Sequence, residues 1–311
     1  MKSKLLITIL LFLFTLNSFS QDIISSGVKS YNLYVNNPAL ITAEDKVQID
    51  LLVGKRSLMD GYYSAYTLFA NSIFKIKKSN IRVSFLEHNF DNLINQRGGT
   101  IGYSYNKELN KKLSLSGGID LNFYRVDNSG LYQPGFFSTE DDLDNSIVSN
   151  TKWIDNYLHS QLGIATKYND LTIGISSKLG VWNDVSINSL NRNPEKGIQF
   201  FRINFLAKYD INIKDNIIIT PQAEYLHNHN ITSEKDYNIG LFFKYKKLVG
   251  FGFMFDTDQA KLSEFREHIY NFSAQIKLFK KVDLIGVYSP RFYESSRSSE
   301  KVWNIQLRIE I

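Results

Sequence analysis

The chain has 311 residues, a formal net charge of +5, 43% hydrophobic and 14% aromatic residues, 18 Tyr, 22 Phe and no Cys. Its basic residues are scattered along the sequence, which excludes a nucleic-acid-binding stripe. The lack of Cys excludes a disulfide framework, so an exported fold must be held by its own sheet.

At the N-terminus, Lys2 and Lys4 precede the apolar run Leu5–Leu16, and Ser18-Phe19-Ser20 supplies small residues for cleavage before Gln21. Residues 1–20 therefore read as a secretory signal peptide. The run falls short of the roughly twenty residues of a spanning helix, and no Cys stands at the cleavage point to carry a lipid. No later segment is long and apolar enough to span as a helix, so a membrane location requires a closed barrel.

Residues 21–46 read as an irregular periplasmic or luminal leader holding Tyr31, Tyr34 and Asn36-Asn37-Pro38-Ala39-Leu40, where Pro38 interrupts any strand. Period-two alternation begins with Val47, Ile49, Leu51 and Val53 and continues to the C-terminus. Further strands are predicted near 62–71, 81–88, 98–107, 112–125, 158–168, 170–181, 198–209, 213–226, 236–246, 248–257, 269–279, 281–289 and 302–311, about fourteen in all. The fold class is all-β: a transmembrane antiparallel up-and-down barrel over 47–311, with short periplasmic turns and long extracellular loops.

One hairpin shows the pattern best. Leu162, Ile164, Thr166 and Tyr168, then Leu171, Ile173, Ile175, Ser177, Leu179 and Val181 share one face across the turn Asn169-Asp170, whose residues tolerate left-handed backbone. Leu113, Leu115, Ile119, Leu121 and Phe123 likewise oppose Ser114, Ser116, Asp120 and Asn122. Polar residues in strand phase point to a wet lumen, and Asp120, Asn122, Arg202, Asn204, Lys208 and Gln222 are expected to face it. The phase is ambiguous at 62–71 and 281–289, and Pro221 weakens the strand at 213–226.

From the fourth strand on, links such as Asn169-Asp170, Lys246-Lys247 and Lys280-Lys281 alternate with long ones such as Asp127–Asn156, and this alternation is expected to be strict. Tyr105, Tyr168, Tyr209 and Tyr245 precede short turns in the outward phase, as an aromatic girdle at headgroup level would. The last strand alternates Trp303, Ile305, Leu307 and Ile309 with Asn304, Gln306, Arg308 and Glu310, ready to pair with the first and abolish the edge.

Chemical motifs are sparse. His227 and His229 lack the further ligands of a metal site, and the acidic group Glu140, Asp141, Asp142 and Asp144 lacks the spacing of a calcium loop. His159 and Ser160 are adjacent, so they point to opposite faces and form no dyad. Gly250-Phe251-Gly252 is strand pattern with no helix after it to bind phosphate. No catalytic constellation, cofactor site or metal site is expected.

Tyr31, Tyr34 and Asn37-Pro38-Ala39 after a signal peptide, followed by a barrel of this length with Lys55-Arg56 closing its first strand, resemble the PorP/SprF family of Bacteroidetes outer-membrane proteins. The chain carries Leu40-Ile41 and Ser57-Leu58 where the family often has an aromatic with Gly and a Gln-Trp pair. The resemblance implies a non-enzymatic outer-membrane barrel that assists export or surface attachment of a secreted adhesin, with other type IX secretion components as partners, a role tied to gliding motility. The barrel itself implies outer-membrane lipid as a partner and no nucleic acid. The alternative is a porin or hydrophobic-solute transporter. The leader is expected to fold into the lumen, its asparagines bonding groups such as Arg202, Lys208 or Gln222, with Arg56 part of the family motif.

Overall fold

The computed structural model describes residues 31–58, 63–90, 94–128, 153–185, 198–213, 216–228, 235–259, 266–293 and 299–311. The expected signal peptide, His229 and the acidic group at 140–144 lie outside these residues. The strands are β1 (Val47–Leu58), β2 (Tyr63–Ile76), β3 (Ser79–Phe90), β4 (Ile94–Glu108), β5 (Leu113–Asn128), β6 (Trp153–Tyr168), β7 (Leu171–Val185), β8 (Ile198–Tyr209), β9 (Ile211–Ile213), β10 (Ile217–Asn228), β11 (Lys235–Tyr245), β12 (Val249–Gln259), β13 (Arg266–Phe279), β14 (Val282–Tyr293) and β15 (Ser299–Glu310).

Consecutive strands pair antiparallel, β8 passing over β9 to pair with β10, and β1 also pairs with β15, Ile49 facing Ile309, so the sheet closes with no free edge. The three-residue β9 continues β8 beyond Asp210, which leaves a wall of fourteen strands. Closure gives each of these fourteen a ladder on both sides, the condition for crossing hydrocarbon without orphaned backbone groups.

Alternation dictates the two faces. On β5, Leu121 is 55% exposed on the outside while Asp120 is 1% exposed inside. The same phase puts Phe205, Phe272, Trp303 and Ile305 outside and Asn204, Asn271, Asn304 and Gln306 within. Asn169 takes φ 51° in the two-residue turn between β6 and β7. Pro221 sits at a break in the ladder: β10 pairs with β8 up to Gln222 opposite Lys208 and with β9 from Ile219 opposite Ile211. A residue with no N–H to donate is tolerated there.

The two segments of ambiguous phase are ambiguous for a reason. Phe69 on β2 and Ile285 and Val287 on β14 point inward and pack with Leu52 and Leu86, flanked by Tyr31 and Tyr124. Both faces of these strands are therefore apolar in part, and the lumen holds an apolar layer beside its polar groups. From the fourth strand on, short links alternate with longer ones as expected. The links before it fall outside that expectation, and only residues 59–62 and 91–93 separate β1 from β2 and β3 from β4.

Candidate functional site in the lumen

The segment from Tyr31 to Ala43 lies inside the barrel, near its short-turn end, and is mostly buried. Two single-turn 3₁₀ helices shape it, Leu33–Val35 and Pro38–Leu40. Asn37 caps the second, its side-chain oxygen accepting from the Ala39 amide at 3.0 Å, and Pro38 at the first helical position supplies a preset φ.

One end of the segment is fastened to β1 and β15. The Asn32 amide donates to Gln306 at 2.8 Å, and its oxygen accepts from Gln306 and from Arg308 at 3.1 and 2.6 Å. Tyr34 donates its hydroxyl to Asp50 at 2.8 Å and lies with its ring 4.7 Å from the Arg82 guanidinium. Burial first, then the Asp50 charge, pushes the Tyr34 phenol well above its ordinary range, which keeps it a donor. Asp50 in turn pairs with Arg308 at 2.7 Å and accepts from Gln48, Asn71 and Gln306. Arg82 bonds Asn71 and forms a second buried pair with Asp120 at 2.8 Å. Buried charges persist only when paired and hydrogen-bonded in this way.

The other end crosses to the far wall. The Asn36 amide donates to Glu224 on β10 at 2.7 Å, and its carbonyl accepts from Gln161 on β6, Ser176 on β7 and Asn204 on β8. Asn37 reaches the backbone carbonyls of Ile164 and Ile175, both at 3.3 Å. The approach is close because the wall is glycine there. A Cβ on Gly118 would fall on the Pro38 carbonyl, one on Gly163 on the Asn37 side-chain oxygen, and one on Gly174 2.6 Å from the Asn37 nitrogen. Tyr31 completes the bridge with a 2.9 Å bond to Ser273 and an edge contact with Phe242.

Several expected site residues lie elsewhere or have other partners. Asn122 accepts from Thr100, and Arg202 and Gln222 are buried in the wall. The leader asparagines take Gln306, Arg308, Glu224 and backbone carbonyls as partners, where Arg202, Lys208 or Gln222 were expected. Lys208 pairs with Asp210 at 3.4 Å, and the Gln222 amide nitrogen has no partner among the described residues. Arg56 is at the opposite end of β1, beside Ala65 and Val302, away from the leader. Tyr105, Tyr168, Tyr209 and Tyr245 are all exposed on the outer face at the short-turn end.

His159 faces inward, stacked on Tyr124 at 5.4 Å, and His227 stacks on Tyr225. Among the described residues no group of His, Asp and Glu is arranged to hold a metal. Sequence reasoning missed Asp50, Arg308, Gln306 and Glu224. The first two were discoverable: opposite charges in the inward phase of the first and last strands become neighbours once the barrel closes.

Comparison with known proteins follows this geometry. A family model described as "Type IX secretion system membrane protein PorP/SprF" matches residues 17–289. Among solved structures, the CymD monoaromatic hydrocarbon channel aligns with TM-score 0.59 at 11% identity, covering 93% of this chain and 94% of that one. A Pseudomonas aeruginosa FadL homologue aligns with TM-score 0.54 at 11% identity, covering 88% and 93%. The Acinetobacter baumannii outer membrane protein Omp33 aligns with TM-score 0.51 at 10% identity, covering 85% and 98%. At such identities the likeness is one of fold, that of outer-membrane barrels. No curated protein matches the chain in sequence.

Proposed function

Because this chain belongs to the PorP/SprF family of type IX secretion system membrane proteins and folds as an outer-membrane barrel, we propose that it acts without catalysis, assisting the export or surface attachment of a secreted adhesin. The observation that carries this reading is the bridge from β1 and β15 to β6, β7, β8 and β10 made by Asn32, Tyr34, Asn36 and Asn37. A lumen filled by its own N-terminal segment suits a scaffold better than a conduit. Loops carried on so rigid a wall suit partner recognition. In this reading Tyr31–Ala39 is a plug, and the exposed tyrosines near the short turns form the headgroup girdle.

A second reading, a transporter of hydrophobic solutes, draws on the apolar lumen layer of Leu52, Phe69, Leu86, Ile285 and Val287. Deleting residues 23–40 in cells separates the two. A scaffold with a plug gives a folded barrel that conducts better in planar bilayers and displays less of any surface protein bearing a type IX C-terminal domain. Unchanged conductance with unchanged display would overturn both the plug and the display role. Undiminished display together with altered uptake of an apolar solute would favour the transporter.

A further inference from the structure

The lysines that look scattered in the sequence are gathered by the fold. Lys-Lys pairs occupy four of the short turns, at 77–78, 111–112, 246–247 and 280–281, all on one rim of the barrel. Among the described residues, Lys281 pairs with Asp45 at 3.0 Å, while Lys77, Lys78, Lys111, Lys112 and Lys247 form no ion pair. The same rim carries Glu44, Asp45, Glu108, Asp170, Asp210 and Glu310, but ammonium groups without a direct partner still repel one another and attract anions.

The backbone adds an independent sign that lysine is there for more than turn formation. Positive φ among non-glycine described residues occurs at Lys77 (57°), Lys246 (50°), Lys247 (55°) and Asn169 (51°). Left-handed backbone is unfavourable for a long side chain, and two-residue hairpin turns of this kind favour Asn-Gly. Only Asn169 follows that preference. The turns at Lys77 and at Lys246-Lys247 accept this backbone and hold ammonium groups at their tips.

Position identifies the anion. Ile76, Tyr245 and Phe279 are exposed on the outer face and immediately precede three of the lysine pairs. With a rise of about 3.3 Å per residue, a lysine one or two residues on lies just past the hydrocarbon edge. Lys246 shows the direction, its ammonium folded over the Tyr245 ring at 5.2 Å and so toward the lipid side. In an outer-membrane barrel this rim faces the periplasm. We propose that the paired lysines of the short turns bind phosphate headgroups of anionic phospholipid in the inner leaflet, holding an anionic lipid ring around the barrel.

The full-length barrel, reconstituted with spin-labelled phosphatidylglycerol or phosphatidylethanolamine, tests this. Preference for the phosphatidylglycerol label should be about fivefold, the scale of one lysine near an anionic surface, and should fall with salt. The variant K77N/K246N/K247G keeps or eases the turns, so it should fold normally while its preference falls measurably, and adding K78N/K111N/K112N/K280N/K281N should bring it toward one. No preference in the native chain, or undiminished preference in the variant, overturns the proposal. Inorganic phosphate should compete no better than chloride at equal ionic strength. Abolition by phosphate alone would mean a free-anion site. Lysine-dependent binding of polyglutamate without lipid preference would assign the rim to an acidic protein instead.

Discussion

The Tyr34 hydroxyl donates to Asp50 at 2.8 Å, which ties the N-terminal segment to the first strand of the barrel around it. Tyr34→Phe keeps the ring beneath Arg82 and leaves Asp50 its other donors, so the expected loss is about 1 kcal/mol. Tyr34→Ala also removes the ring and should cost about 3–5 kcal/mol of docking. Protease cleavage of the segment in the folded barrel checks this order: Ala fastest, Phe intermediate. Equal cleavage of all three would show that Tyr34 anchors nothing.

Asp50 and Arg308 form a largely buried pair, and removing one charge should cost more than removing both. Asp50→Ala strands the guanidinium and should lower barrel stability by about 3–5 kcal/mol, whereas D50L/R308M should lose far less. The temperature at which the folded band disappears on a gel gives the comparison. Equal losses in the single and double variants would rule out charge stranding as the cause.

Gly117 and Gly118 are neighbours with opposite expectations. A Cβ on Gly117 meets nothing within 4 Å, while one on Gly118 strikes the Pro38 carbonyl. Gly118→Val should expel the segment and raise conductance in planar bilayers, and Gly117→Val should do neither. Similar currents from both would mean the segment does not rest on β5.

Leu121 faces outward on β5, so Leu121→Arg should destabilise the barrel by about 2–4 kcal/mol near the bilayer midplane. Leu121→Phe should be close to neutral. Midpoints of denaturant unfolding in lipid vesicles would expose a wrong phase if the two variants coincided.

How much of this was legible in the sequence depended on which face decided the matter. On β5 the lipid demanded Leu, Ile and Phe at alternate positions and the lumen accepted Ser, Asp and Asn, so period two was plain. On β2 and β14 the inward Phe69, Ile285 and Val287 blurred that contrast, because the lumen there is apolar. The leader was recognisable by its Pro and aromatics, but its partners were not. Asn32 and Gln306 are 274 residues apart, and only the closed topology brings them together. The lysine turns were legible too: the alternation of short and long links already put Lys246-Lys247 and Lys280-Lys281 on one side.

The segment grips β1 and β15 at once, through Asp50 on one and Gln306 and Arg308 on the other. Those are the first and last strands of the wall, joined to each other only when the barrel is complete. The receptor for the leader therefore does not exist in a half-made barrel, and docking of the leader must follow closure during assembly. Once in place, the leader acts as a stitch across the seam. Parting β1 from β15 sideways would break Asn32 from Gln306 and Tyr34 from Asp50 together with the ladder, so the seam of this barrel is fastened twice.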